Sequence, residues 1–312
     1  MKNFEKKNII LHIGLHKTGS TFIQKHLNLI KEDNHKIFAV KSGIVELILK
    51  YLKEQNDKLK EEILSIINKE ECQNILISHE EIFEKPNVKF KNVSKRFKLL
   101  EELFNKPKYI IFFREPSSII YSGYFQGLKK SHSLKFESFI NENNNDLRNR
   151  NYYNYWVRGL DYKIYDYNHI LRDYLKIQHR VLLIEYEKFF KEKNENVFNN
   201  FIGINVKFNW NLRLNISLKN LSYLELYNKY LFFRLLKFFW IKFNKPFYKY
   251  KSAKDVSLRV LALINFLVKF TSRKHLKKIE DNHQEILKDI KDHHSKSYNE
   301  FKNKLNPTNI YY

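Results

Sequence analysis

Ile13-Gly14-Leu15-His16-Lys17-Thr18-Gly19-Ser20-Thr21 decides how the rest of the chain is read. The stretch follows an apolar run, Asn8 to Ile13, and precedes Ser20 to Ile30, where Phe22, Ile23, Leu27 and Ile30 share one helical face. Strand, glycine turn and helix in that order bring successive backbone N–H groups and a helix N-terminus to one point, which favours an anion. A magnesium-dependent nucleotide loop would read G-x-x-x-x-G-K-[ST], with lysine directly after the second glycine. Here Ser20 holds that position, and the lysine stands three residues earlier at Lys17. The expectation is a phosphate cradle whose lysine projects from the crest toward the bridging oxygen of a transferred group, with no metal required.

Outward from this loop, Asn74 to Ser78, Lys108 to Arg114 and Arg180 to Tyr186 are short apolar runs bounded by polar turns, and Lys36 to Val40 is a weaker one. Runs of nearly continuous apolar residues read as strands covered on both faces. They alternate with helical patterns, among them one opened by Pro116 that carries Ile119, Ile120 and Tyr124. The fold class expected is α/β, a parallel sheet of about five strands flanked by helices. From about Leu218 the strand signal stops and the pattern turns helical. The 312 residues are therefore expected to form an α/β domain over 1–217 and a basic, mainly helical extension over 218–312 packed on it.

Lys and Arg number 57 against 34 Asp and Glu, a formal charge of +23, strong enough to attract anionic partners. More than half of that charge lies between Lys219 and Lys278, where 15 basic residues face two acidic ones and alternate with Phe232, Phe238, Trp240 and Phe247. Such a mixture suits an anionic membrane surface or a groove for a polyanionic saccharide. It equally suits a helical subdomain with an aromatic core and a solvated basic face. No helix-turn-helix, zinc-finger, RNP or KH signature accompanies the charge, so specific nucleic-acid binding is not expected. The single cysteine, Cys72, excludes an internal disulfide, and no Cys/His spacing suggests zinc. No secretory signal or membrane span is read, which sets the expected location in the cytoplasm, with peripheral attachment to the inner face of the membrane as an option.

A second motif follows the strand at Lys108. Arg114-Glu115-Pro116 stands at its end and Ser122 comes eight residues after the arginine. Strand ends of open α/β sheets are where ligands bind, Pro116 sets the helix entry angle, and Ser122 lies about 9 Å along the axis from it. Two anion sites on neighbouring strand ends imply a ligand with two separated phosphates.

Together the two motifs resemble the phosphate-binding motifs of sulfotransferases that use 3′-phosphoadenosine 5′-phosphosulfate (PAPS), in particular the bacterial carbohydrate-type branch. The likeness runs over roughly residues 8 to 215, judged by motif order. It implies a P-loop-like fold and transfer of a sulfuryl group from PAPS to a hydroxyl, of a saccharide or glycolipid. It further implies that Lys17 contacts the phosphosulfate bridge, that His16, Lys17, Thr18, Gly19, Ser20 and Thr21 form the 5′-phosphate cradle, and that Arg114 and Ser122 hold the 3′-phosphate.

For the base that takes the acceptor proton, Ser78-His79-Glu80-Glu81 lies at a strand end on the same sheet edge. Glu80 resembles the acidic residue of bacterial members and His79 the histidine of cytosolic ones; Glu80 is favoured, with a pKa raised by a neighbouring sulfate. His16 is a third candidate. Glu185-Tyr186-Glu187 reads first as structural, with orientation of the donor or acceptor as its alternative, and Asp292-His293-His294 as solvated. The rival reading is a noncatalytic polyanion- or membrane-surface-binding protein that keeps a vestigial nucleotide fold.

Overall fold

The computed structural model describes residues 7–30, 34–39, 42–86, 89–129, 136–140, 160–212, 273–305 and 310–311. The expected domain boundary at 217/218 and nearly all of the basic stretch 219–278 lie outside them. Described residues fall into two compact units, one drawn from 1–115, 164–214 and 294–312, the other from 116–163 and 215–293.

The first unit is built on a parallel sheet. Its strands are β1 (Asn8–Gly14), β2 (His35–Phe38), β3 (Asn74–Ser78), β4 (Lys108–Phe113), β5 (Val181–Glu185) and a two-residue β6 (Ile310–Tyr311), in the order β2-β3-β1-β4-β5-β6. The five strands expected from the apolar runs all form, each within two residues of its expected limits. β6 adds a sixth, pairing Leu183 with Ile310.

Side chains alternate between the two faces of a strand, and here both faces are covered. Ile10, Leu76, Ile110, Phe112, Leu182 and Ile184 pack with Phe22, Ile23 and Leu27 of α1 (Ser20–Leu27), with Phe189, and with Phe198 and Ile202. The opposite face presents Tyr109 and Phe113, which meet Tyr174, Tyr167 and Phe301 edge-on at 5.0, 6.1 and 5.3 Å between ring centroids. This double burial is why the strands read as unbroken apolar runs. α2 (Gly43–Glu54) and α3 (Asp57–Lys69) connect β2 to β3, and α4 (Val93–Phe104) leads into β4.

At the N-terminal edge of β4 and β5, Arg180 grips both oxygens of Glu101 at 3.0 and 2.7 Å, while Tyr109 Oη donates to the same carboxylate at 2.9 Å. This tie closes the end of the sheet opposite the glycine loop. The C-terminal residues also return to the sheet: Lys302 Nζ bonds both oxygens of Glu185 at 3.0 Å, and Tyr298 Oη donates to it at 3.2 Å. His294 is buried there, at 2% exposure, which corrects the expectation that Asp292-His293-His294 is solvated throughout.

The second unit contains α5 (Pro116–Lys129), α6 (Phe136–Ile140) and part of the long C-terminal helix (Arg273–Asn303). Tyr124, Phe136 and His283 meet at tilted and edge-on angles, 5.0 to 5.7 Å between ring centroids, so Tyr124 is a core residue of that unit. No helix among the described residues is long and apolar enough to cross a membrane.

Candidate functional site

Strand order reverses beside β1, whose chain successors β2 and β3 lie on one side and β4 on the other. In open α/β sheets the crevice at that reversal, outside the carboxyl ends of the strands, takes the ligand. The β1 loop, the β3 end and the β4 end converge there.

The loop is held by its own backbone. Leu15 N–H donates to the Phe112 carbonyl of β4 at 2.8 Å, and the buried Thr18 hydroxyl donates to the Leu15 carbonyl at 2.5 Å. Lys17 sits at the crest in the left-handed region, φ 67°, and is half-buried. Gly19, φ 85°, is the N-cap of α1, and its carbonyl accepts from Phe22 at 2.8 Å and Ile23 at 3.2 Å. The N–H groups of Ser20 and Thr21, in the first turn of α1, have no intrahelical acceptor and are available to an anion. Ser20 is buried and Thr21 exposed.

Gly19 is required twice over. Its φ is one that L side chains rarely adopt, and an added Cβ would lie 2.9 Å from the Phe190 ring and 3.1 Å from Tyr186. Phe190 is wedged between Phe22 and Tyr186 at 5.0 and 4.7 Å and cannot withdraw freely. Gly19→Ala is expected to cost about 2 kcal/mol or more of stability. An unchanged urea midpoint for that variant would contradict the packing described.

Arg114 follows β4 and reaches back to the loop. Its Nη1 donates to the Lys17 carbonyl at 3.3 Å, its Nε pairs with Glu187 Oε1 at 2.7 Å, and the guanidinium lies 4.4 Å from the centre of the Tyr186 ring. Tyr167 clamps the same residue by its main chain, donating from Oη to the Arg114 carbonyl at 2.5 Å and accepting from its N–H at 3.4 Å. Burial pushes the Tyr167 phenol well above its ordinary range, so it remains a donor.

Glu80 begins a short 3-10 turn, Glu80–Ile82, after β3. It lies against the loop: a Cβ built on Gly14 would be 3.5 Å from the Glu80 carbonyl and 3.6 Å from its Cβ. Gln24 of α1 donates to Glu80 Oε2 at 3.1 Å. Burial acts to raise the Glu80 carboxyl, but His16, a hydrogen bond to its own backbone, His79 and Gln24 outweigh it, and the net direction is down. The carboxyl therefore sits below its ordinary value, because the neighbours facing it are hydrogen-bond donors and imidazoles. His79 Nδ1 accepts from Glu81 N–H at 3.1 Å, capping the turn, which leaves the ring proton on Nε2.

His12 and His16 lie beneath the loop, and burial lowers both to about 4. His12 Nδ1 pairs with Ser78 Oγ at 2.7 Å. An unfolded histidine takes up a proton near its ordinary 6.5, so between there and about 4 the unfolded chain binds protons that the folded one refuses, and stability falls as pH falls. Glu80, being depressed, stabilises above the ordinary carboxylate value and loses that contribution only at still lower pH. From pH 7 to 5, His12 alone is expected to remove about 2 kcal/mol. Urea midpoints at the two pH values measure this, and the loss should shrink in His12→Gln; an equal loss in the variant would refute the assignment.

Every site residue named from sequence in the loop, together with Glu80, His79 and Arg114, therefore meets at one sheet edge. His16 is buried within the loop, at 5% exposure. Ser122, half-buried on α5, belongs to the second unit. Gln24 and Tyr167 were not legible as site residues, Gln24 reading as one more polar helix position, while Glu187 reads with Glu185 as structural first and as an orienting residue second. The structure separates those two carboxylates, giving Glu185 to Lys302 and Glu187 to Arg114. Among the described residues no group of three or more His, Cys, Asp or Glu side chains is placed to hold a metal ion.

A glycine loop feeding a helix, a lysine on its crest, an arginine at the end of the neighbouring strand and a carboxylate behind the loop thus stand at one edge of an α/β sheet. The profile of the sulfotransferase domain matches residues 7–250, more than three quarters of the chain, and the protein belongs to that family. Among solved structures, a sulfotransferase from Alicyclobacillus acidocaldarius is similar at 14% identity and a TM-score of 0.46, over 74% of this chain and 95% of the other. No curated protein matches the chain.

Proposed function

We propose that this sulfotransferase moves the sulfuryl group of PAPS to a hydroxyl of a saccharide or glycolipid. The observation that carries the reading is the convergence of Lys17, Arg114 and Glu80 at the point where strand order reverses, with Arg114 bonded to the Lys17 carbonyl. The N–H groups from Thr18 to Thr21 take the 5′-phosphate, since the Thr18 hydroxyl is already committed to Leu15. Arg114 takes the 3′-phosphate.

The acceptor oxygen attacks sulfur as the bond from sulfur to the 5′-phosphate oxygen breaks, and 3′-phosphoadenosine 5′-phosphate (PAP) leaves with that electron pair. Lys17 neutralises the charge that grows on the leaving oxygen. Glu80 accepts the acceptor's proton. It is preferred to His79 because the His79 Nδ1 lone pair is engaged by Glu81 and the other nitrogen carries the proton. The single cysteine, Cys72, fits action in a reducing compartment such as the cytoplasm, and a peripheral membrane role for 219–278 stays part of the proposal.

Calorimetry with PAP and with ATP tests the donor. PAP should bind and ATP should bind far more weakly, because ATP lacks a 3′-phosphate; the reverse preference would overturn the donor assignment. Mass spectrometry of cell-surface glycans incubated with the protein and PAPS tests the acceptor class, and a gain of one sulfate on a saccharide is the expected product.

A further inference from the structure

Gln24 is buried, at 5% exposure, on the first turns of the helix that the phosphate loop opens. Its side-chain nitrogen lies 3.1 Å from Glu80 Oε2 and 3.5 Å from the Ser78 carbonyl. Both neighbours are acceptors, so the amide can face them only with its NH2 end. The geometry points to Gln24 as a positioning residue for the base: one amide ties the Glu80 carboxylate to the end of β3 and to the helix that carries the phosphate cradle. The inference rests on Glu80 being the base.

Three observations make the tie mechanical rather than incidental. The Glu80 backbone is already seated on Gly14, so the carboxylate has little freedom beyond its own side-chain torsions. Arg96 of α4 donates to the Glu81 carbonyl at 2.6 Å and holds the turn from the other side. Gln24 holds the carboxylate through Oε2, which fixes its orientation as well as its place. The amide thus couples two jobs, because any shift of α1 that accompanies phosphate capture moves the base with it.

The groups that bear on Glu80 are His16 from the loop, His12 from β1, and His79 beside it on the turn. All three imidazoles stay in place in a Gln24 variant, so a change in Glu80 ionisation reports the lost amide. Gln24→Met, of similar length and without the donor, is expected to raise the acid limb of the pH profile by about half to one unit. PAP release from PAPS in the presence of the glycan mixture should fall about ten- to a hundredfold. Gln24→Glu, which sets a second carboxylate against the first, should shift the limb further in the same direction.

In the unsubstituted protein, the side-chain 15N–H resonances of Gln24 should titrate with the 13C carboxyl signal of Glu80, a readout that needs no variant to fold. If Gln24→Met keeps the original rate and acid limb, or if the two signals titrate independently, Gln24 has no positioning role. Glu80→Gln separates the two ideas. Loss of PAP release in Glu80→Gln beside an unaffected Gln24→Met overturns the positioning role and leaves the base standing. An active Glu80→Gln overturns both.

Discussion

Arg114→Ala is expected to abolish measurable PAP binding at concentrations that saturate the unsubstituted protein, a loss of at least about a hundredfold in Kd. The size follows from removing two charge-assisted hydrogen bonds to a phosphate, each worth about 1.5–3 kcal/mol, at about 1.4 kcal/mol per tenfold. The fold should tolerate the change, because Tyr167 grips the Arg114 backbone rather than its side chain. What the truncation does disturb is local: Glu187, 43% exposed, returns to water, and the Lys17 carbonyl loses its bond from Nη1. Arg114→Lys is expected to recover only part of the affinity, since an ammonium neither presents a planar fork nor stacks on Tyr186 as the guanidinium does. Calorimetry with PAP decides the matter, and binding within threefold of the original in Arg114→Ala would remove Arg114 from the donor site.

Lys17→Met is expected to behave in the opposite way. PAP affinity should change less than about tenfold, because the loop N–H groups and Arg114 remain, while turnover of PAPS should fall about a hundred- to a thousandfold. That magnitude is typical for removing one donor aimed at charge that develops only in the transition state. Methionine is the informative substitution because, like lysine, it has a Cβ at φ 67°, so the strain of the crest is retained; glycine would relax it and mix two effects. Stopped assays of PAP release, set beside calorimetry on the same variant, give the split. Parallel losses in binding and turnover would reduce Lys17 to a general attractor of anions.

The parts of this architecture that were legible from sequence are those written in local periodicity. Asn74 to Ser78 is recovered residue for residue as β3, and Lys108 to Arg114 overruns β4 by one. Apolar runs of that length, bounded by polar turns, have few other stable conformations in a sheet covered on both faces. The loop was legible for a similar reason, because glycine spacing between a strand and a helix reports backbone geometry directly. Glu80 was found because it lies two residues past a strand end. Its ionisation was not, since the direction depends on His16, on His79 and on Gln24, which is 56 positions away in the chain. Tyr167 escaped because a buried tyrosine in an aromatic-rich chain carries no mark of its partner. The burial of His294 was hidden by its polar neighbours Asp292 and His293.

By itself the sequence determined that a glycine loop without the usual nucleotide lysine opens an α/β sheet, and that an arginine and an acidic residue stand at later strand ends. Only the tertiary structure decided that these meet, by placing β1 between β3 and β4 so that residues 17, 80 and 114 share one crevice. It also decided which oxygen of Glu80 is held and which carboxylate faces Arg114. The physical reason is that backbone conformation and burial follow from short-range pattern, whereas strand order and hydrogen-bond partners are chosen among distant residues by packing of the whole sheet.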